Sequence, residues 1–219
     1  MTECGLMRCS HRYSRISYIN TLECIHWQAL VGGNQEISTM VKALAQYYRI
    51  CLSEGKDIIP LSMELEHVRN YLIIQNMRYG NIITLAEKVP EEYLSVRIPK
   101  LTLQPLVENS IYHGIRVKEG VTGTVEIAVV ESEGAVCLTV KDDGGGMEPE
   151  QLADINQNIS DMERDVGYGI TNNDSIKCVD VFINKRIELM YGEQYGLSFR
   201  QNEGRGTCVE IRLPGEDGE

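Results

Sequence analysis

The chain has 219 residues, enough for one or two domains around a substantial buried core. With 21 Lys and Arg against 32 Asp and Glu it carries a net charge of −11, which excludes a nucleic-acid-binding surface and adhesion to an anionic membrane face, since both need clustered cations. A hydrophobic content of 42% and a mean hydropathy of −0.22 fit a folded soluble chain, with no apolar run long enough to span a bilayer and no signal-peptide core at the N-terminus.

The first half reads as helix. Tyr18, Leu22, Ile25 and Ala29 recur at helical spacing over residues 18–30, until Gly32 and Gly33 interrupt them. Residues 36–52 repeat the pattern on a broad stripe that includes Ile37, Met40, Leu44, Tyr47 and Cys51. Pro60 and Ser62 open a third helix, with Glu64 and Glu66 in a first turn that favours carboxylates, and Gly80 stops it. Consecutive amphipathic helices with short breaks pack as a hairpin or bundle.

After Gly80 the pattern changes. Residues 82–89 read as a strand and 101–112 as a helix, while 125–131 and 135–142 form a hairpin around Ser132-Glu133-Gly134. Residues 148–162 are polar, a coil or weak helix; 182–190 form a short helix, and 197–201 with 207–213 a last hairpin. Strands and helices without strict βαβ alternation predict an α+β fold: helices, then a two-layer sandwich of one mixed sheet covered by helices. The tail beyond Pro214 is acidic.

Four segments carry chemistry. The helix LQPLVENSIYHGI places Val107, Ser110 and Gly114 on one side and Glu108, Asn109 and His113 on another; an Asn carbonyl oxygen is a hard, neutral Mg²⁺ ligand. At the end of a strand, Asp142-Asp143-Gly144-Gly145-Gly146 allows close backbone approach to a ligand, and Asp142 can accept from an exocyclic amine. Gly167-Tyr168-Gly169 precedes a helix without a βαβ strand before it, so it is no dinucleotide fingerprint, but it can present N–H groups to phosphate. Gly204-Arg205-Gly206-Thr207 enters the last strand. Taken singly, each is also compatible with a surface helix or a plain turn. The seven cysteines lack metal-ligand spacing or a CxxC pair and read as reduced thiols. No Cys/His metal site, Ser-His-Asp system or glycosidase carboxylate pair has supporting spacing.

In their order, these segments resemble the N, G1, G2 and G3 boxes of the GHKL ATPases, the Bergerat nucleotide fold. The runs GNQEISTMVKALAQYYRICLSEGK, ELEHVRNYLIIQNMRYGN, LQPLVENSIYHGI and RIELMYGEQYGL further resemble the LytS/YesM-type sensor histidine kinases, over residues 18–214. The resemblance implies a helical dimerisation region at 18–80 after a divergent segment at 1–17, an ATP-binding catalytic domain at 81–214 and a tail at 215–219. It implies ATP between the Asn109 helix and a lid over 147–167. Asn109 would ligate Mg²⁺, Asp142 would read the adenine amino group, and Gly144 and Gly146 would admit the base. Gly167, Gly169 and Asn172 would border the phosphates, Gly204, Gly206 and Thr207 the rim, with His113 and Gly114 beside the nucleotide. It also implies a homodimer and a response-regulator receiver domain as partner. A cytoplasmic location follows, with the membrane reached only through segments absent from this chain.

Two departures stand out. The family's acceptor His lies ahead of Asn-Thr-Leu-Glu; here Asn20-Thr21-Leu22-Glu23 is present but Ile16 occupies the His position, and an alkyl group cannot be the nucleophile. His11, His26 and His67 are poor substitutes by position, which leaves Glu108 and His113 as the candidate catalytic groups and no fixed acceptor. Either an ordinary kinase has an altered start, or the chain is a pseudo-kinase that binds ATP or dimerises without phosphorylating itself. A gyrase- or chaperone-like ATPase is disfavoured because Pro105 stands where a general base would be needed, one turn before Asn109. The second departure is an apparent insertion at 171–180.

Overall fold

The computed structural model describes the backbone of residues 3–52, 56–115, 122–132, 134–160 and 175–215; the side chains of 3–16, 131, 132, 160 and 175–178 lie outside the described set. Two antiparallel helices come first, α1 (Glu3–Val31) and α2 (Gln35–Cys51). Gly33, at φ +73°, makes the reversal, and the Asn34 side chain accepts the Ile37 N–H at 3.1 Å to cap α2. A His26–Ser38 hydrogen bond of 2.9 Å and a Glu23–Arg49 ion pair join the two helices.

The short strand β1 (Ile58–Pro60) leads into α3 (Leu61–Tyr79), which carries Leu61, Leu65, Val68 and Leu72 into the core. Its end behaves as the sequence predicts: Gly80 adopts the left-handed conformation at φ +83°. Asn76 then bonds both the N–H and the carbonyl of Ile83, at 2.9 and 2.7 Å, fastening α3 to β2 (Ile83–Lys88). A short 3₁₀ turn and β3 (Arg97–Pro99), antiparallel to β1, precede α4 (Leu103–Asn109). Helix α4 widens into a π-helical turn over Ser110–Ile115.

The main sheet has the order β2-β4-β5-β7-β6, from β4 (Gly123–Ser132), β5 (Ala135–Asp142), β6 (Gly196–Gln201) and β7 (Thr207–Pro214). Strand β2 runs parallel to β4 and all other pairs are antiparallel, so the sheet is mixed, as expected. Alternation sorts its two faces. Val125, Ile127, Val136, Leu138, Val140, Val209 and Ile211 face the helices and fill the core. The opposite face carries Ala128, Thr139, Cys137 and Cys208, roofed by Glu126 with Lys88 (2.5 Å) and Lys141 (3.5 Å), and by Arg200 with Glu210 (3.8 Å).

Two elements differ from the sequence reading. The polar stretch at 148–162 forms a true helix, α5 (Pro149–Ser160), because Ile155 and Ile159 bury one face of it. Helix α6 (Ser175–Tyr191) begins seven residues before the predicted Phe182. Residues 175–180, expected within the insertion, are its opening turns; 171–174 lie outside the described residues.

Candidate functional site

Strand β5 ends on Asp142, whose register partner in β4 is Val125. Its side chain is 3% exposed. Oδ1 accepts the Gly144 N–H at 2.9 Å, and the Thr207 N–H and the Ser110 hydroxyl lie near enough to the same carboxylate to favour its charged form. Burial raises the carboxyl above the ordinary Asp range, and the Gly144, Thr207 and Ser110 donors oppose that rise. The Asn202 amide holds the Asp142 carbonyl at 2.9 Å.

Three glycines from three segments close on this residue. A Cβ on Gly114 would lie 2.7 Å from Asp142 Oδ1. One on Gly144 would lie 2.2 Å from the Gly114 carbonyl carbon, and one on Gly206, at φ +92°, 2.0 Å from the Asp142 carbonyl oxygen. The Gly145 N–H donates to the Gly114 carbonyl at 3.0 Å, tying the post-β5 loop to the π turn. Such a turn re-aims backbone groups that a regular helix would spend internally, and here it presents Gly114 to Asp142.

One turn earlier the same segment carries Asn109, half-buried, whose Nδ2 donates to Asp180 Oδ1 at 3.2 Å. Asp180 is fully buried, and burial pushes its carboxyl up to about 7, opposed by the Asn109 bond. Glu108 takes the Gln104 amide at 2.8 Å on the side of Tyr47 and Tyr71, and burial raises its carboxyl as well. His113 is exposed.

Of the residues singled out in the sequence, Ser110, Gly114, Asp142, Gly144, Gly206 and Thr207 thus form one cluster. Gly146 adjoins it: its Cβ would sit 3.3 Å from the Gly206 carbonyl oxygen. Gly204 makes the exposed turn between β6 and β7, at φ +92° with open space around it. Gly167, Gly169 and Asn172 lie outside the described residues, as does the Ile16 side chain. Asn202 and Asp180 were missed. Asp180 falls on one helical row with the buried Ile183, Asn184 and Ile187, a signal hidden by the late predicted start of α6. Among the described residues no group of three or more His, Cys, Asp or Glu could hold a metal ion, and no helix is long and apolar enough to cross a membrane.

In this α/β sandwich an Asp at a strand end is walled by side-chain-free backbone from three segments and flanked by an Asn-bearing helix. Residues 96–217 match the profile of the histidine kinase-, DNA gyrase B- and HSP90-like ATPases, and residues 18–83 that of the histidine kinase family; the chain belongs to this ATPase family, whose domain binds ATP. It is similar to the sensor histidine kinase YesM of Bacillus subtilis, 33% identical over 197 residues (89% of this chain, 30% of that protein). It is also similar to the sensor protein LytS of Oceanobacillus iheyensis, 31% identical over 196 residues (89% and 32%). Among solved structures, the nucleotide-free catalytic domain of the histidine kinase ThkA superposes with a TM-score of 0.49 at 16% identity, covering 72% of this chain and 93% of that one. The chain spans about a third of the length of the curated relatives it matches.

Proposed function

We propose that this chain is the ATP-binding catalytic region of a sensor histidine kinase, acting as a homodimer in the cytoplasmic part of a membrane-anchored receptor. The reaction is phosphoryl transfer from ATP to a histidine and on to an aspartate of a response-regulator receiver domain. The single observation that carries the reading is the Asp142 cluster: the backbone of Gly114, Gly144 and Gly206 packs, with no room for a side chain, around a buried carboxylate that can accept from an amino group.

The residues fit Mg-ATP chemically. Asp142 would take the adenine amino group, and Gly114, Gly144 and Gly146 would admit the ring. Gly204, Gly206 and Thr207 would form the rim, and Gly167, Gly169 and Asn172 would border the phosphates. Asn109 would offer its carbonyl oxygen to Mg²⁺, which favours oxygen ligands and keeps several waters beside phosphate. Bound Mg²⁺ supplies charge neutralisation on the transferring group, while the protein contributes positioning. The side chains at hand hold no imidazole at the acceptor position, where Ile16 stands, so the ATP site and the acceptor are separable properties.

The test is calorimetric titration of the whole chain with ATP in the presence of Mg²⁺. Saturable binding by the wild type that is lost or strongly weakened in Asn109→Ala and Asp142→Ala, with both variants folded, is the expected result. No binding by the folded wild type would sink the reading.

A further inference from the structure

Asp180 has no obvious place in a purely structural account. It is fully buried on the row of α6 that also buries Ile183 and Ile187, where an alkyl side chain would fill the same space. Its Oδ1 takes the Asn109 amide at 3.2 Å, and its Oδ2, equally buried, has no hydrogen-bond partner among the described residues. A buried carboxylate with one neutral donor and an orphaned oxygen is a net cost to folding.

The bond has a directional consequence. An Asn side chain is two-sided: one end accepts, the other donates, and rotation about χ2 by half a turn exchanges them at little intrinsic cost. An ionised carboxylate only accepts. With Asp180 ionised behind it, the amide turns its NH₂ inward to α6, as in the observed bond, so its Oδ1 is the end left for another partner. Asn109 is half-buried, so that outer end is reachable. The contact joins residues 71 positions apart, from two helices that no local pattern couples.

We propose that Asp180 is the positioning residue for Asn109: it locks the amide with its carbonyl oxygen outward, in the orientation a magnesium–nucleotide complex requires. This rests on the ATP reading above and adds to it a residue outside the four sequence boxes. Side chains that orient a ligand without touching the metal typically change metal-dependent binding by about 10- to 100-fold when removed.

The experiment measures ATP affinity of the full-length chain with Mg²⁺ and again with EDTA, at pH 8.5, for the wild type, Asp180→Asn and Asp180→Leu. Leu removes the acceptor and fills the space; Asn keeps an acceptor for the Asn109 amide. Asp180→Leu is expected to weaken Mg-ATP binding by about 10-fold or more while leaving ATP–EDTA binding within about twofold, at an equal or higher melting temperature. Asp180→Asn retains most of the Mg²⁺ increment. In ¹⁵N spectra of the nucleotide-free protein, the Asn109 side-chain NH₂ shifts and exchanges faster with water in Asp180→Leu. The proposal is overturned if Asp180→Leu keeps the wild-type Mg²⁺ increment, if Asp180→Asn loses as much as Asp180→Leu, or if the Asn109 NH₂ signal is the same in wild type and Asp180→Leu. A wild type that binds no ATP condemns the nucleotide reading instead, and the amide signal still decides whether Asp180 holds Asn109.

Discussion

Glu64 of α3 accepts the backbone N–H of Leu103, 39 residues away, at 2.9 Å, and so caps the helix that ends on Asn109. The same carboxylate takes the N–H groups of Leu101 at 2.6 Å and Thr102 at 3.0 Å. Leu101 sits at φ +59°, a conformation uncommon for a non-Gly residue, and the bond to Glu64 holds it there. Arg186 of α6 donates to the neighbouring Lys100 carbonyl at 2.8 Å. Helices α3, α4 and α6 therefore meet at one buried junction, where burial raises the Glu64 carboxyl and three N–H donors oppose the rise.

Glu64→Ala should destabilise the chain by about 3 kcal/mol, since it orphans two buried N–H groups, a part-buried third and a helix N-terminus. Glu64→Gln keeps acceptor capacity and should cost roughly half of that. Chemical denaturation of the two variants checks the order; equal stability of Glu64→Ala and wild type would show that the junction contributes nothing.

The glycine wall can be tested by adding single methyl groups. Gly144→Ala meets the Gly114 backbone at 2.2 Å and Gly206→Ala meets the Asp142 carbonyl at 2.0 Å. Each should cost about 1–3 kcal/mol of stability and remove detectable ATP binding. Gly145→Ala, one residue along, has no atom within 4 Å of its new Cβ and should behave as wild type. Wild-type affinity in Gly144→Ala would contradict a nucleotide site at this place.

Asp142→Asn replaces one acceptor oxygen by a donor at nearly constant volume. A charged hydrogen bond is worth about 1.5–3 kcal/mol, so ATP affinity should fall about 10-fold or more. Preference for ATP over GTP should shrink in parallel, because the Asn can face either base edge. Competition titration with the two nucleotides reads the ratio directly.

His67 carries a pH dependence. It is fully buried, its Nε2 lies 3.1 Å from Cys51 Sγ, and Tyr47 stacks on it at 4.4 Å between centroids. Burial lowers its pKa to about 4. A folded pKa below the unfolded one means that this contribution to stability is fully present above about pH 6.5 and is lost as pH falls towards 4. His67→Phe should flatten the acid limb of a stability-against-pH curve relative to wild type over that window. Parallel curves for the two proteins would refute it.

Incubation with radiolabelled ATP should give no acid-labile phosphohistidine at position 16 of the wild type, where Ile16 stands. Ile16→His should acquire the label at that position. Label in neither protein, with ATP bound by both, would separate the site from the transfer.

The sequence by itself determined the elements whose signals are local. Gly80 ends α3 because only a residue without Cβ enters the left-handed cap cheaply, and Gly134, at φ +75°, lies between β4 and β5 where the sequence places a hairpin turn. The segments around Asn109, Asp142 and Gly206 are compatible with plain turns when taken singly; it is their order along the chain that resembles the nucleotide boxes, and order is visible in the sequence. Three features were decided only in the tertiary structure. The polar α5 is helical because Ile155 and Ile159 find the core, which no propensity sum reveals. Glu64, a plausible first-turn carboxylate by sequence, turns away from its own helix to cap α4. Asp180 reaches Asn109 only because α4 and α6 are brought together over the sheet. A one-dimensional pattern records what a residue does to its own helix or strand; the partner of a buried charge is set by chain topology, and that lies beyond any window of the sequence.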